Sequence, residues 1–487
     1  MNEIEELKVY VQQVTDTLSC VNYSFSPTDP NLDSMYFYCS DLGINVVPIY
    51  RYNLSNEVVD TCFSDIYIND PNEYCSGNII PGIVGTLSTV NNYGVEDAEI
   101  YLSGTENTKL TTESNGLFKY TPPLPEGNYT VRPKKNSDFL NGVNTNDIIQ
   151  IQKHILDIKK LDSPYRQIAA DIDNNQRISA SDILGLRKLI LGETSEFKNN
   201  ESWKFIDYNY KFQNAEDVLN EPYNESLDIK KLNKTIRTDF IGIKIGDVNN
   251  SAIANKLMAI VPRSSEKVVI NTDDKMTVKG ENIIVQLRNQ DPIKLEGLQF
   301  TIEFDPMAIE YTNIEGAKLS LTNENIGLKN IGKGFITLTW NDVKAIDLPA
   351  GTELLNIEFK VKNPGLLSEQ LSINSSITEA IAFDTEGQEL GIMFEARSQK
   401  SDDFVLYQNE PNPWASSTKL KYELPTNGNV KLTISNGYGI KLIEKVLNGK
   451  IGTNIIEIQK ENVNYNGLLI VDLEFEGKHQ IIKMIKF

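Results

Sequence analysis

The stretch ADIDNNQRISASD (residues 170–182) places Asp171, Asp173, Asn175, Ser179 and Asp182 at positions 1, 3, 5, 9 and 12 of a twelve-residue loop. Oxygen donors at those positions, with a backbone carbonyl at position 7 and a closing carboxylate at position 12, are what a calcium loop requires. Arg177 supplies the carbonyl in this register, and Asp182 opens the helix that follows. Position 6, usually Gly, is Gln176, and a left-handed turn at a residue with a side chain costs about 1 kcal/mol. The plainer alternative makes Asp182 only a helix N-cap, a role that Asp commonly takes.

The same pattern occurs once more, 35 residues earlier. Asn136, Asp138, Val143, Asn144, Asp147, Ile148, Ile151, Ile155 and Leu156 recur as Asp171, Asp173, Ile178, Ser179, Asp182, Ile183, Leu186, Ile190 and Leu191. Each unit is a polar loop running into a helix. The spacing of Ile148, Ile151 and Ile155, and of Ile183, Leu186 and Ile190, puts three apolar side chains on one helical face, so the two helices can bury against each other. The first loop is poorer in donors, because Asn136 stands at position 1 and Leu140 at position 5. Asp138, Asn144, Asp147 and the Gly142 carbonyl remain as its calcium ligands, or Asp147 is a cap alone.

Away from this helical pair the chain reads as β structure. Residues 1–77 and 78–133 hold short strand-like runs such as SMYFYC and AEIYLSG, broken by turn clusters rich in Gly, Pro and Asn. Residues 193–250 are polar and less regular, and read as an extension of the helical unit. From 264 to 397, NIIVQLRN, LQFTIEFD, GFITLTWND and LLNIEFKVK alternate in and out of a core, and about nine strands would fit a sandwich of that length. Residues 404–487 form a last β module. The expected fold class is therefore mainly β and multidomain, several immunoglobulin-like or β-sandwich domains around one small α-helical calcium-binding module.

Composition narrows the function. With 67 acidic against 47 basic residues, the chain carries a net charge of −20, which argues against nucleic acid as a partner because phosphate binding needs clustered positive charge. No apolar run of about 18 residues is present to span a bilayer as a helix. Cys20, Cys39, Cys62 and Cys75 fall in the first 75 residues without a Cys-x-x-Cys pair, so disulfides are expected, with buried free thiols the alternative. The opening MNEIEELKVYVQQ lacks an apolar segment and is no secretory signal. Disulfides without a signal suggest that Met1 lies inside a longer chain. His154 and His479 are the only histidines, too few for a His-based zinc site. No nucleophile elbow or phosphate-binding glycine loop appears. No catalytic residue is assigned, and the chain is not expected to be an enzyme.

The 35-residue repeat, together with NGVNTNDIIQIQKHIL, LDSPYRQIAADIDNN, SWKF and IGIKIGDVNNSA, resembles a dockerin-like region of secreted Bacteroidetes-type proteins, covering 134–251. YFYCSDLGINVVPIYRYNLSNEVVDTC resembles the end of a hyalin-repeat-like, immunoglobulin-type domain, which implies a Cys39 to Cys62 pairing. GIVGTLSTVNNYGVEDAEIYLSG with GLFKYTPPLPEGNYTVRP is similar to a carboxypeptidase regulatory-like sandwich, and EGLQFTIEFDPMAIEY with GTELLNIEFKVK resembles a cohesin. Cohesins bind dockerins. YQNEPNPWASSTKLKYELP, Gly439, Gly467 and the basic end KMIKF resemble the C-terminal sorting domain of type IX secretion cargo.

These resemblances imply an exported structural or adhesive protein, stabilised by calcium, secreted or held on the outer-membrane surface. Its implied partners are the type IX secretion machinery and other surface proteins or polysaccharide. The alternatives are a non-catalytic tail of a larger extracellular hydrolase or protease, and dockerin-like and cohesin-like segments that act as assembly modules, within one chain or between chains, for polysaccharide-degrading partners.

Overall fold

A computed structural model describes residues 81–120, 124–214, 217–256, 266–398 and 404–487, together with two strands nearer the start. Those strands, Gly43–Tyr52 and Val58–Ile68, pair antiparallel, with Ile49 opposite Cys62. The remainder of the 1–77 domain and the proposed cystines lie outside the described residues. The fold is mainly β, in several sheets.

The first described unit is a sandwich of two sheets. One runs Thr108–Thr111, Glu99–Gly104, Gly127–Lys134 and Leu227–Leu232; the other joins Ile83–Thr89 to Leu117–Lys119, Ile236–Arg237, Phe240–Lys244 and Trp203–Asp207. Strands from beyond the helices thus complete sheets begun before them. The segment 193–250, read from sequence as an extension of the helical unit, instead contributes much of this sandwich. Its alternation explains why. Trp203, Phe205 and Phe240 enter the sandwich core, whereas Ile206, Ile243 and Ile245 point the other way into the helical core. A sheet covered on both faces loses the polar face that would mark it in sequence.

Three helices lie on that second face: α1 (Thr145–Ile155), α2 (Pro164–Ala170) and α3 (Ala180–Ile190). Both α1 and α3 begin with a capping box, Asn144 with Asp147 and Ser179 with Asp182, which satisfies amides that a helix start leaves without partners. Ile148, Ile151, Leu186 and Ile190 share one core, with Ile183 packed at its margin. Ile155 does not join them and stays 38% exposed, unlike its repeat partner Ile190.

Residues 266–398 form a larger sandwich around Phe300, Trp340, Ile357 and Phe359. Its strand order runs Ile309–Gly316, Glu353–Val361, Asn282–Asn289, Lys267–Asp274, Glu389–Ser398, Ile381–Phe383, Ile293–Phe304, Phe335–Leu348 and Ile326–Gly327. Lys267–Asp274 and Glu389–Ser398, the first and last long strands, pair in parallel. Residues 404–487 build a separate core around Trp414, Leu432, Val471 and Phe475, between a three-stranded and a four-stranded sheet.

Candidate metal centre

The loop preceding α3 gathers its acids. Carboxylate oxygens of Asp171, Asp173 and Asp182 lie within 4.8 Å of one another. Asp171 is held by the amides of Asn175 and Gln176, each at 3.0 Å. Asp182 accepts the amides of Ile172 and Ser179, each at 2.8 Å. Asp173 accepts the Ser181 hydroxyl at 2.9 Å through Oδ2, while its Oδ1 is buried without a hydrogen-bond partner. Burial pushes the carboxyls of Asp171 and Asp182 up, and the charge of Asp173 adds to the effect in both. Asn174 and Gln176 take left-handed backbones, φ 57° and 66°, so the strain expected at Gln176 is present. Asn175 Oδ1 accepts the Arg177 amide at 2.9 Å, and Ser179 caps α3. Three converging carboxylates with one orphaned buried oxygen fit a hard divalent cation.

The first loop is arranged differently. Asn136 accepts the Ser202 amide at 2.8 Å, and Asp138 is an exposed residue in a left-handed turn. The Gly142 carbonyl accepts the Ser251 hydroxyl at 3.0 Å. Asn144 donates to Glu389 at 3.0 Å. Asp147 is fully buried and accepts the amides of Asn144 and Val248, both at 2.9 Å. Burial first, and then the neighbouring Asp247, push its carboxyl well above the usual range.

The two histidines stand apart from both loops. His154 accepts the Leu161 amide at 3.0 Å, and His479 pairs with Asp472 at 3.0 Å in the last module.

Both helices of the repeat dock on the 266–398 sandwich. Gln299 Oε1 accepts the amide and the hydroxyl of Thr145, both at 2.8 Å, and that hydroxyl meets Thr339 Oγ1 at 2.6 Å. Lys153 pairs with Glu296 at 2.6 Å, and Arg187 donates to Asn341 at 2.9 Å. Thr337 and Thr378 cap the end of α3 by donating to the carbonyls of Leu191 (2.6 Å) and Ile190 (2.7 Å). Glu193 in turn accepts the amides of Leu328 and Lys329 at 2.8 and 3.0 Å. A small apolar contact of Ile149 with Ile381 and Phe383 completes the joint. Gly297 permits the approach, since a Cβ there would stand 2.9 Å from Ile149 Cδ1.

Sequence reading offered contact between the dockerin-like and cohesin-like segments only as an alternative and named none of the residues that make it, although a signal exists. Gln299, Thr301, Thr337 and Thr339 occupy the alternate positions of two strands, where a solvated face would carry charge; all four are buried. Uncharged polar residues in that register mark a face covered by a hydrogen-bonding partner.

No protein-family model matches the chain, and no curated protein does. Solved structures similar to part of it include the sixth cohesin of scaffoldin B from Acetivibrio cellulolyticus, in complex with a Cel5 dockerin, at 15% identity over 26% of this chain and 94% of that one, TM-score 0.22. A second is the seventh ScaB type I cohesin from Pseudobacteroides cellulosolvens, at 17% identity over 27% of this chain and 88% of that one, TM-score 0.21. A third is a non-cellulosomal cohesin from the archaeon Archaeoglobus fulgidus, at 14% identity over 28% of this chain and 94% of that one, TM-score 0.20.

Proposed function

We propose that this chain is a non-catalytic, exported structural or adhesive protein in which a calcium-ordered helical pair forms the joint between two β-sandwiches. The observation that carries the reading is the joint itself. Buried hydrogen bonds from both helices hold the 266–398 sandwich, while the opposite side of the helical core is built on strands of the first sandwich. Such a contact serves to fix the relative placement of two domains. Calcium would be held by Asp171, Asp173, Asn175, the Arg177 carbonyl, Ser179 and Asp182. Bound there, it cross-links a loop whose order α3 depends on, so binding energy becomes folding energy.

The resemblance of residues 404–487 to a type IX sorting domain supports export across the outer membrane, with removal of that module at the surface. The implied partners are the secretion machinery and, on the outside, other surface proteins or polysaccharide. The test is the intact mass of the native protein in surface and medium fractions. A species lacking residues 404–487 supports the reading; a protein retained inside the cell with the module still attached refutes it.

A further inference from the structure

The segment that enters the helical unit, residues 135–141, and the segment that leaves it, residues 253–256, line a cleft of about 760 Å³ together with Glu96 and Asp97 of the first sandwich and the turn after α3. That size lies within the range of about 300–1,000 Å³ found for ligand sites. Its apolar part is held in place. Asn141 and Ile253 exchange bonds of 2.8 and 2.9 Å between side chain and backbone, and Phe139 packs edge-on against Phe197 at 5.4 Å. Leu140 and Ile253 nevertheless stay 43% and 44% exposed. Aliphatic side chains fixed in this way leave water only when a ligand covers them.

A separate observation points to a ligand. Lys135, which lines the cleft, is 9% exposed. Its ammonium donates to the Glu96 carbonyl at 2.5 Å and lies 5.9 Å from the centre of the Trp203 ring. Among the described residues no carboxylate is ion-paired with it, and that of Glu96 is taken by Lys256 at 2.9 Å. An ammonium carries three N–H donors, so two of them lack a protein acceptor. A buried cation with unmet donors is costly until an acceptor arrives. Burial pulls the pKa of Lys135 down, and the charges of Asp138, Asp97 and Glu96 oppose that fall. Asp97 and Asp138 also line the cleft; both are exposed, in left-handed turns, and without an ion-pair partner among the described residues.

We propose that this cleft binds the carboxy-terminal end of a partner peptide. The terminal carboxylate meets Lys135, an apolar last side chain covers Leu140 and Ile253, and a basic residue upstream faces Asp97 and Asp138. A carboxylate supplies the acceptors that the buried ammonium lacks, and does so in a charge-assisted pair. The two acids without partners favour a cation in the peptide and disfavour an acidic chain. The site stands apart from the 171–182 loop and from the contacts with the second sandwich, so it goes beyond the calcium-ordered joint and is tested independently of it.

The test is calorimetric titration of the full chain with the peptide acetyl-Lys-Ala-Leu bearing a free carboxylate. Saturable binding is expected, at least tenfold weaker for the same peptide ending in a carboxamide and weaker again when Glu replaces its Lys. Lys135→Met should weaken the free-acid peptide at least tenfold. Ile253→Ser, at an exposed position whose backbone bonds to Asn141 persist, should weaken it severalfold and keeps the test decisive if Lys135→Met fails to fold. Asp97→Asn with Asp138→Asn should abolish the preference for Lys over Glu. No binding at millimolar peptide, equal binding of acid and carboxamide, or affinity unchanged in Ile253→Ser would each overturn the site. Sodium octanoate binding as tightly as the peptide would overturn the peptide as its occupant.

Discussion

Replacing Gln299 by Leu removes the acceptor that two groups of α1 share across the joint. The Thr145 amide and hydroxyl both reach Gln299 Oε1 at 2.8 Å, and the two residues are 0% and 3% exposed, so water cannot take over. The amide belongs to the first turn of α1, where no intrahelical acceptor exists. Leaving it buried and unpaired costs about 1–3 kcal/mol, and losing the hydroxyl bond a further ~1 kcal/mol, because the Thr339 contact of 2.6 Å persists. At a factor of ten for each ~1.4 kcal/mol, a total of about 2–4 kcal/mol raises the opening of this turn roughly 30- to 700-fold. Hydrogen exchange read by mass spectrometry on peptides spanning 141–156 measures that opening directly. Ile284→Gln, at an exposed position of the same sandwich, should leave exchange unchanged. Unaltered protection of α1 in Gln299→Leu would show that the joint does not hold the helix, and the reasoning would fail.

Other outcomes follow from the same geometry. Ile148→Ala, in the core shared by α1 and α3, should cost about 2–5 kcal/mol and loosen exchange in both helices, not in α1 alone. The two histidines should titrate on opposite sides of the ordinary value near 6.5, resolved by NMR with His154→Gln to assign them. His154 is depressed, by burial first and then by Lys160. Its contribution to stability is therefore complete above the unfolded value and lost as pH falls through the folded one. His479 is raised by its bond to Asp472, so its contribution is complete below the unfolded value and lost as pH rises through the folded one. Deleting residues 404–487, which have their own core, should leave the melting of the rest unchanged while abolishing appearance at the cell surface.

How far the sequence was legible depended on whether one segment carried the whole signal. The helices of the repeat were readable because acid and apolar stripe are local, although the N-caps are Asn144 and Ser179, with Asp147 and Asp182 three residues on and not the caps themselves. The 266–398 strands were readable because NIIVQLRN and FITLTW alternate with one buried core. The strands Trp203–Asp207 and Phe240–Lys244 were not, since each face of them is covered by a different core and the alternation carries no polar marker. In the first repeat, Asn136 and Asp138 occupy the expected positions in the chain, yet the residues bonded to Asp147 come from Asn144 and from Val248, 101 residues further on. A loop assembled from two distant segments leaves no periodic trace in either. The joint was hidden for a related reason, because Gln299 and Thr339 look like a solvated strand face until the helices that cover them are placed.

The measurement that bears most directly on a calcium-ordered joint is differential scanning calorimetry of the full chain in millimolar calcium and again after chelation. Free calcium at about 100 times its dissociation constant should add ~2.7 kcal/mol to the unit that binds it. We expect the transition of the helical unit to move upward by several degrees in calcium, and that of the 404–487 module to stay in place. Superimposable traces in calcium and chelator would contradict the claim that the ion orders the joint.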